Sequence, residues 1–201
     1  RGGAKIVLTP GVWLCRGPIH LVDNVTLVFR EGATLKFVAA PQAYLPMVET
    51  SWEGTLLWNY SPFIYGKGLH NVFIVGNGTI DGDSGDTFAK WYDTQAEGQM
   101  LSRQMNHDGV PVSERLFGLG FDLRPQLIQL YDCRDVTISS VFIRRSPFWC
   151  VHILKCENVI LRGLRYDAKL VNNDGIDIES SRNVLIDDVR FNNGDDNIAI
   201  K

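Results

Sequence analysis

Two turns near the end of the 201-residue chain hold the residues best suited to do chemistry. Asn172-Asn173-Asp174-Gly175 leads into Ile176-Asp177-Ile178, and Asn193-Gly194-Asp195-Asp196 leads into Asn197-Ile198-Ala199-Ile200. Asp174 precedes Asp195 by 21 residues and Asp196 by 22. Three carboxylates held together keep a proton among them, because like charges at short range raise at least one pKa and the group titrates as a unit. A protonated carboxyl beside an ionised one is what cleavage of a glycosidic bond needs: one protonates the leaving oxygen, the other activates water or attacks the sugar. Corners rich in Asn, Asp and Gly also serve as plain turns, so spacing alone leaves both roles open. Asp177, Glu179, Asp187 and Asp188 are weaker candidates. Asp177 lies within the strand that follows Asp174, and Asp187-Asp188 fall at a corner where solvation accounts for them.

What brings those turns together is a repeat. Asn24-Val25-Thr26-Leu27, Asn71-Val72-Phe73-Ile74, Asp135-Val136-Thr137-Ile138, Asn158-Val159-Ile160-Leu161 and Asn183-Val184-Leu185-Ile186 share one frame. Val136 to Val159 is 23 residues, Val159 to Val184 is 25, and Val25 to Val72 is 47, so the spacing predicts one unmarked unit between Val25 and Val72. Units this short cannot hold a strand–helix–strand crossover, and their apolar alternation has a period of two. The frame is not that of leucine-rich repeats. The expected fold is all-β, a right-handed single-stranded parallel β-helix in which each unit forms one coil and coils stack through parallel ladders. Groups one repeat apart then lie side by side. Asn24, Asn71, Asn158 and Asn183 should form a ladder at a left-handed corner, with Cys133 and Cys156 stacked.

Residues 1–201 read as a single, partial β-helix domain with a lateral insertion around residues 82–124, where Val72 to Val136 spans 64 residues and Thr87–Arg103 has helical character. Long excursions from a regular scaffold shape clefts or cap a face. The Asp81-Gly82-Asp83-Ser84-Gly85-Asp86 run lacks the pattern of an EF-hand loop and reads as a turn.

The bulk numbers exclude several classes. With 45% hydrophobic residues the chain can bury a sizeable core, and its net charge of −3 offers no basic footprint for nucleic acid or an anionic membrane. No apolar run of 18 residues is present, and the chain opens at Arg1 without a signal-like segment. Four cysteines without a CxxC pair suggest neither a disulfide framework nor zinc.

The motifs resemble those of glycoside hydrolase family 28, the polygalacturonase-like enzymes with the pectin-lyase-like β-helix. Asn172-Asn173-Asp174-Gly175 is similar to that family's Asn-Thr-Asp-Gly, with Asn173 in place of Thr, and Gly194-Asp195-Asp196 matches its Gly-Asp-Asp. Arg124-Pro125-Gln126-Leu127-Ile128, Ser146-Pro147-Phe148-Trp149 with His152, and Gly78-Thr79-Ile80-Asp81-Gly82 resemble further signposts. The resemblance implies an inverting, cofactor-free and metal-free hydrolase of α-linked galacturonate in pectin. Asp195 would be the general acid, and Asp174 with Asp196 would activate the water. The family's following Gly-His-Gly and Arg-Ile-Lys motifs fall beyond Lys201, so carboxy-terminal coils are expected to be missing and the isolated piece to be weak or inactive. Asn172, His152 and Lys201 are the expected substrate-binding residues, Lys201 as the nearest cation for an anionic sugar. Trp52, Trp58, Tyr60 and Tyr65 could stack on sugar rings, while Trp149 is expected to pack.

Exo action is compatible with this reading, since loops closing the cleft decide it. A calcium-dependent pectate lyase on the same scaffold and a non-catalytic glycan-binding β-helix are the alternatives. The expected partner is a pectin-type polysaccharide met by a monomer, with no nucleic acid and no membrane. Secretion or a periplasm is the expected location, and Asn24, Asn59 and Asn77 lie in N-x-S/T sequences that would carry glycans only in a eukaryotic secretory route.

Overall fold

The computed structural model describes residues 2–201. Its scaffold is the right-handed parallel β-helix, with three parallel sheets forming three walls. The first wall stacks Ala4–Leu8, Val25–Phe29, His70–Gly76, Arg134–Ser139, Glu157–Arg162 and Arg182–Asp187. The second stacks Gly11–Cys15, Ala33–Phe37, Thr79–Asp81, Phe142–Arg144 and Arg165–Asp167. The third, which carries the site, stacks Ile19–His20, Ile64–Lys67, Ile128–Tyr131, Val151–Leu154, Ile176–Glu179 and Ile198–Ile200.

Alternation of side chains along each strand sends one set inward. Val25, Val72, Val136 and Val159 of the first wall, Leu35, Ile80 and Ile143 of the second, and Ile64, Ile128, Val151 and Ile176 of the third meet in one buried core. The first-wall register pairs Val72 with Val136, Val136 with Val159 and Val159 with Val184, as the repeat requires. At the corner before this wall, Asn24, Asn71, Asp135, Asn158 and Asn183 all adopt φ of 54–58°. Asn71 Nδ2 donates to Asn24 Oδ1 at 2.8 Å, Asn158 Nδ2 to Asp135 Oδ1 at 2.9 Å and Asn183 Nδ2 to Asn158 Oδ1 at 2.6 Å. Cys133 and Cys156 stack as expected, the Cys133 N–H lying 3.4 Å from Cys156 Sγ.

The expected unit between Val25 and Val72 does not exist. Thr26 pairs directly with Phe73, so adjacent coils are already in contact there. The extra residues form an excursion between the second and third walls, whose centre is the antiparallel hairpin Val48–Trp52/Thr55–Asn59. Its length is close to one repeat, and spacing alone cannot tell the two apart.

A second excursion leaves after Asp81 and returns at Ile128. It contains a 3-10 segment, Phe88–Asp93, and the helix α1, Ala96–His107, which is the helical character read from this stretch. Asp81 is a turn anchor: Arg145 reaches it through Nε at 2.8 Å, and Arg145 Nη1 lies 2.6 Å from Asp83. Among the described residues no helix is long and apolar enough to cross a membrane.

Candidate active site

The register of the third wall assembles the site. Val151 pairs with Ile176 and Ile176 with Ile198, so two residues earlier Trp149, Asp174 and Asp196 occupy successive rungs. The backbone secures this alignment just outside the strands: Cys150 N–H donates to Asp174 O at 2.9 Å, and Gly175 N–H donates to Asp196 O at 2.8 Å. Position 175 has to be glycine, because a Cβ there would come within 2.6 Å of the Asn197 carbonyl oxygen.

Asp174, Asp195 and Asp196 each contribute a carboxylate oxygen to a group lying within 4.8 Å of one another. Asp174 is buried, whereas Asp195 and Asp196 are exposed. Burial pushes the Asp174 carboxyl up to about 6, the Asp195 charge adds to the rise and Lys201 opposes it. Asp195 is oriented through both oxygens: Asn172 Nδ2 donates to Oδ2 at 3.1 Å and the Asp196 N–H to Oδ1 at 3.0 Å. Asn193 Nδ2 braces the turn by donating to the carbonyls of Asp195 and Asp196 at 2.8 and 2.9 Å.

The sequence-derived residues Asn172 and Lys201 join this cluster. Glu53, Trp149, Asn172, Asp174, Asp195 and Lys201 line one cavity of about 250 Å³. Lys201 Nζ lies 4.2 Å from the centre of the Trp149 ring and 3.2 Å from Asp177 Oδ1. Asp177, rated weaker on sequence, thus stands directly behind the site. It is fully buried, neither of its oxygens accepts a well-aligned hydrogen bond, and burial together with Asp174 pushes its pKa up to about 8.

His152 is placed differently from the expectation that it touches substrate. It points outward from the third wall in register with Asp177, yet it is fully buried because the hairpin covers it. Thr50 Oγ1 donates to Gln129 Oε1 at 2.7 Å, which turns the Gln129 amide nitrogen toward His152 Nδ1 at 2.9 Å. His152 Nε2 therefore carries the hydrogen and donates to Glu179 Oε2 at 3.0 Å, while Ser51 Oγ reaches the same carboxylate at 3.0–3.1 Å. Burial holds the imidazole below its ordinary pKa, against the pull of Glu179. Burial works to raise Glu179, but the His152 and Ser51 hydrogen bonds prevail and keep it low. His152 is thus a neutral member of a closed ring that begins and ends on the hairpin.

Of the aromatic residues expected to meet sugar, Trp52, Tyr60 and Tyr65 are buried, Trp52 stacking on Phe148 at 5.2 Å, whereas Trp58 is half-buried. Trp149 packs as expected, stacked on Phe148 at 4.8 Å, and also contributes to the cavity lining. Beneath the cavity floor, buried Arg124 donates to Asn172 Oδ1 at 2.6 Å, to Val171 O at 3.0 Å and to Gln95 Oε1 at 2.9 Å. Burial lowers its pKa to about 10, so it remains a cation near neutrality. Asn173 faces inward and donates to the carbonyls of Ser146 and Phe148, both at 2.9 Å. Glu53 carried no local signal of its role, which depends on contacts across the excursions; Arg124 was marked only as part of the Arg124-Pro125-Gln126 signpost.

Residues 119–201 match the family model described as glycosyl hydrolases family 28. A probable polygalacturonase from Vitis vinifera is 29% identical over 208 residues, covering 100% of this chain and 37% of that protein. An endo-polygalacturonase from Pectobacterium carotovorum is 27% identical over 199 residues, covering 92% of this chain and 44% of that one. Among solved structures, a hyperthermoactive exopolygalacturonase from Thermotoga maritima superposes with a TM-score of 0.96 at 40% identity, covering 100% of this chain and 47% of its own. The chain therefore spans less than half the length of these relatives.

Proposed function

This chain belongs to glycoside hydrolase family 28, and on that footing we propose that it forms the catalytic part of a polygalacturonase that hydrolyses α-linked galacturonate in pectin from a chain end. The observation that carries the reading is the approach of the Asp174, Asp195 and Asp196 oxygens within 4.8 Å, beside a cavity that Lys201 also lines.

Asp195, exposed and held by Asn172, is the member a leaving glycosidic oxygen can reach, and it acts as the acid. Asp174 and Asp196, adjacent on neighbouring rungs, bind and deprotonate the attacking water. The buried Asp174 carboxyl, pushed up to about 6, keeps a proton within the coupled group at mildly acidic pH. Lys201 provides a charge-assisted contact for the uronate carboxylate, and the buried Trp149 ring, stacked on Phe148 at 4.8 Å, holds that ammonium 4.2 Å from its centre. His152 serves by fixing the hairpin.

That hairpin supports action at a chain end. A linear polymer bound along the outer face of the third wall would have to cross Gln129 and His152, and both lie beneath Thr50 and Ser51. The groove is closed on that side, so a chain can enter only until its end meets the hairpin. A polymer too large to cross a membrane is met outside the cytoplasm, which supports a secreted or periplasmic location.

The test is incubation of the full-length protein that contains this chain with polygalacturonate. Expected are a rise in reducing ends, release of monomeric galacturonate, no ultraviolet absorbance from unsaturated products and no loss of activity in EDTA. Unsaturated products with a calcium requirement would establish a lyase, and binding without any cleavage an adhesive β-helix.

A further inference from the structure

Glu53 sits in the same cavity as the carboxylate group, although nothing in an acid–base mechanism requires it. It occupies the tip of the hairpin, where Trp52 pairs with Thr55 across a two-residue turn. Glu53 and Gly54 both have left-handed backbone, with φ of 45° and 80°, as the tight hairpin turn that matches strand twist demands. A non-glycine residue in that conformation is uncommon, so an acidic side chain is being held there at some conformational cost.

The tip is fixed from two sides. On the hairpin, Trp52 stacks on Phe148 and its Nε1–H donates to Arg124 O at 3.1 Å. On α1, Gln99 Nε2 and Arg103 Nη2 donate to Glu53 at 2.8 and 2.9 Å. Both bonds end on Oε2, and among the described residues no hydrogen bond reaches Oε1. A pair as exposed as Glu53–Arg103 adds little stability, so the contact is better understood as aiming the carboxylate than as holding the fold.

A third carboxylate lining a cavity meant for an anionic sugar repels the uronate group and presents acceptor oxygens. Its partner has to be a hydroxyl. At the closed end of the groove the sugar presents one hydroxyl that exists only on a terminal residue, because elsewhere in the chain that oxygen is the glycosidic link. We propose that Glu53 is a specificity-determining residue that recognises the non-reducing chain end by accepting a hydrogen bond from this hydroxyl through Oε1. The inference rests on the polygalacturonase reading above and adds to it the atom that tells an end from an interior residue. It also gives the two excursions a joint task, since one supplies the carboxylate and the other points it.

The experiment compares two trisaccharides on the full-length protein that contains this chain: saturated trigalacturonate, and the lyase-derived trisaccharide whose end residue carries a double bond in place of that hydroxyl. Wild-type protein should prefer the saturated substrate in kcat/KM by about 10- to 100-fold, the range for one hydrogen bond to a charged group. Glu53→Ala should lose that preference by slowing cleavage of the saturated trisaccharide while leaving the unsaturated one nearly unchanged. Arg103→Ala, which frees the tip but keeps the carboxylate, should retain a reduced preference. Equal loss on both substrates in Glu53→Ala, or no preference in the wild type, overturns the assignment. If neither trisaccharide is cleaved by the wild type, it is the polygalacturonase reading itself that has failed.

Discussion

Asp174 and Asp196 are register mates: the Gly175 N–H donates to the Asp196 carbonyl at 2.8 Å, and this single rung sets the two carboxyl groups side by side with Asp195 next to them. The chemistry therefore depends on a backbone ladder, and side-chain changes at the three aspartates can alter protonation without moving the frame.

From this arrangement, Asp195→Asn and Asp174→Asn should each lower kcat on oligogalacturonate by about 100- to 10,000-fold, the usual worth of one positioned acid or base, with KM changed far less. Unaltered circular dichroism together with retained binding, measured by calorimetry, checks that the loss is chemical. A variant of either residue with near wild-type kcat removes it from the mechanism.

The spacing of the carboxylates bears on stereochemistry. Oxygens within 4.8 Å are closer than the roughly 6.5–9.5 Å typical of inverting pairs, yet the family resemblance implies inversion. Asp174 and Asp196 acting as two halves of one water-binding base would reconcile the two. Proton NMR of the first-formed product should then show the β anomer from an α-linked substrate. An initial α anomer would mean a covalent intermediate on one of these aspartates.

Asp177 yields a prediction about pH and stability. Its pKa is raised from 3.8 to about 8 in the folded protein. Below the unfolded value both states hold the proton and nothing is lost. As pH climbs from about 4 to 8 the folded state holds a proton the unfolded chain has released, so stability falls across that window. Asp177→Asn removes the liability. Its Tm should exceed that of the wild type by several degrees at pH 8 and converge with it near pH 4. An equal difference at both pH values would show that the carboxyl is not the cause.

Asn173 should behave as a structural residue despite its place inside the catalytic motif. Its side chain satisfies two buried carbonyls. Asn173→Ala should cost about 2–4 kcal/mol, since both acceptors lose their donor, and a scan of thermal unfolding should register a drop of roughly 5–15 °C. Asn173→Thr, the residue the resembling motif carries, should cost less.

These residues also mark how far the sequence could be read. The Asn corner ladder and the aspartate cluster were legible because each depends only on the repeat, which stacks like on like. The hairpin was not, because an excursion about one repeat long leaves the count of residues looking regular. Several residues the hairpin covers or carries were misjudged with it. His152 has the outward parity of a groove residue and is covered, Trp52 has the look of a sugar platform and is core, and Glu53 has no motif at all. Trp149 packs as its type suggests, and its register with Asp174 is what also brings it to the cavity lining.

The covering hairpin is itself open to test through the ring Thr50–Gln129–His152–Glu179–Ser51. Because Glu179 is kept ionised by the donors of His152 and Ser51, it accepts from both at once, and a neutral amide of the same shape must present its NH2 group to one of them. Glu179→Gln therefore breaks at least one bond at the foot of the hairpin while leaving Asp174, Asp195 and Asp196 untouched. Amide hydrogen exchange over residues 48–59 should quicken, and galacturonate should no longer be the sole early product, because a loosened hairpin admits chains past their end. Faster exchange with an unchanged product pattern would separate hairpin anchoring from chain-end selection, and the closed groove would then need another explanation than Thr50 and Ser51.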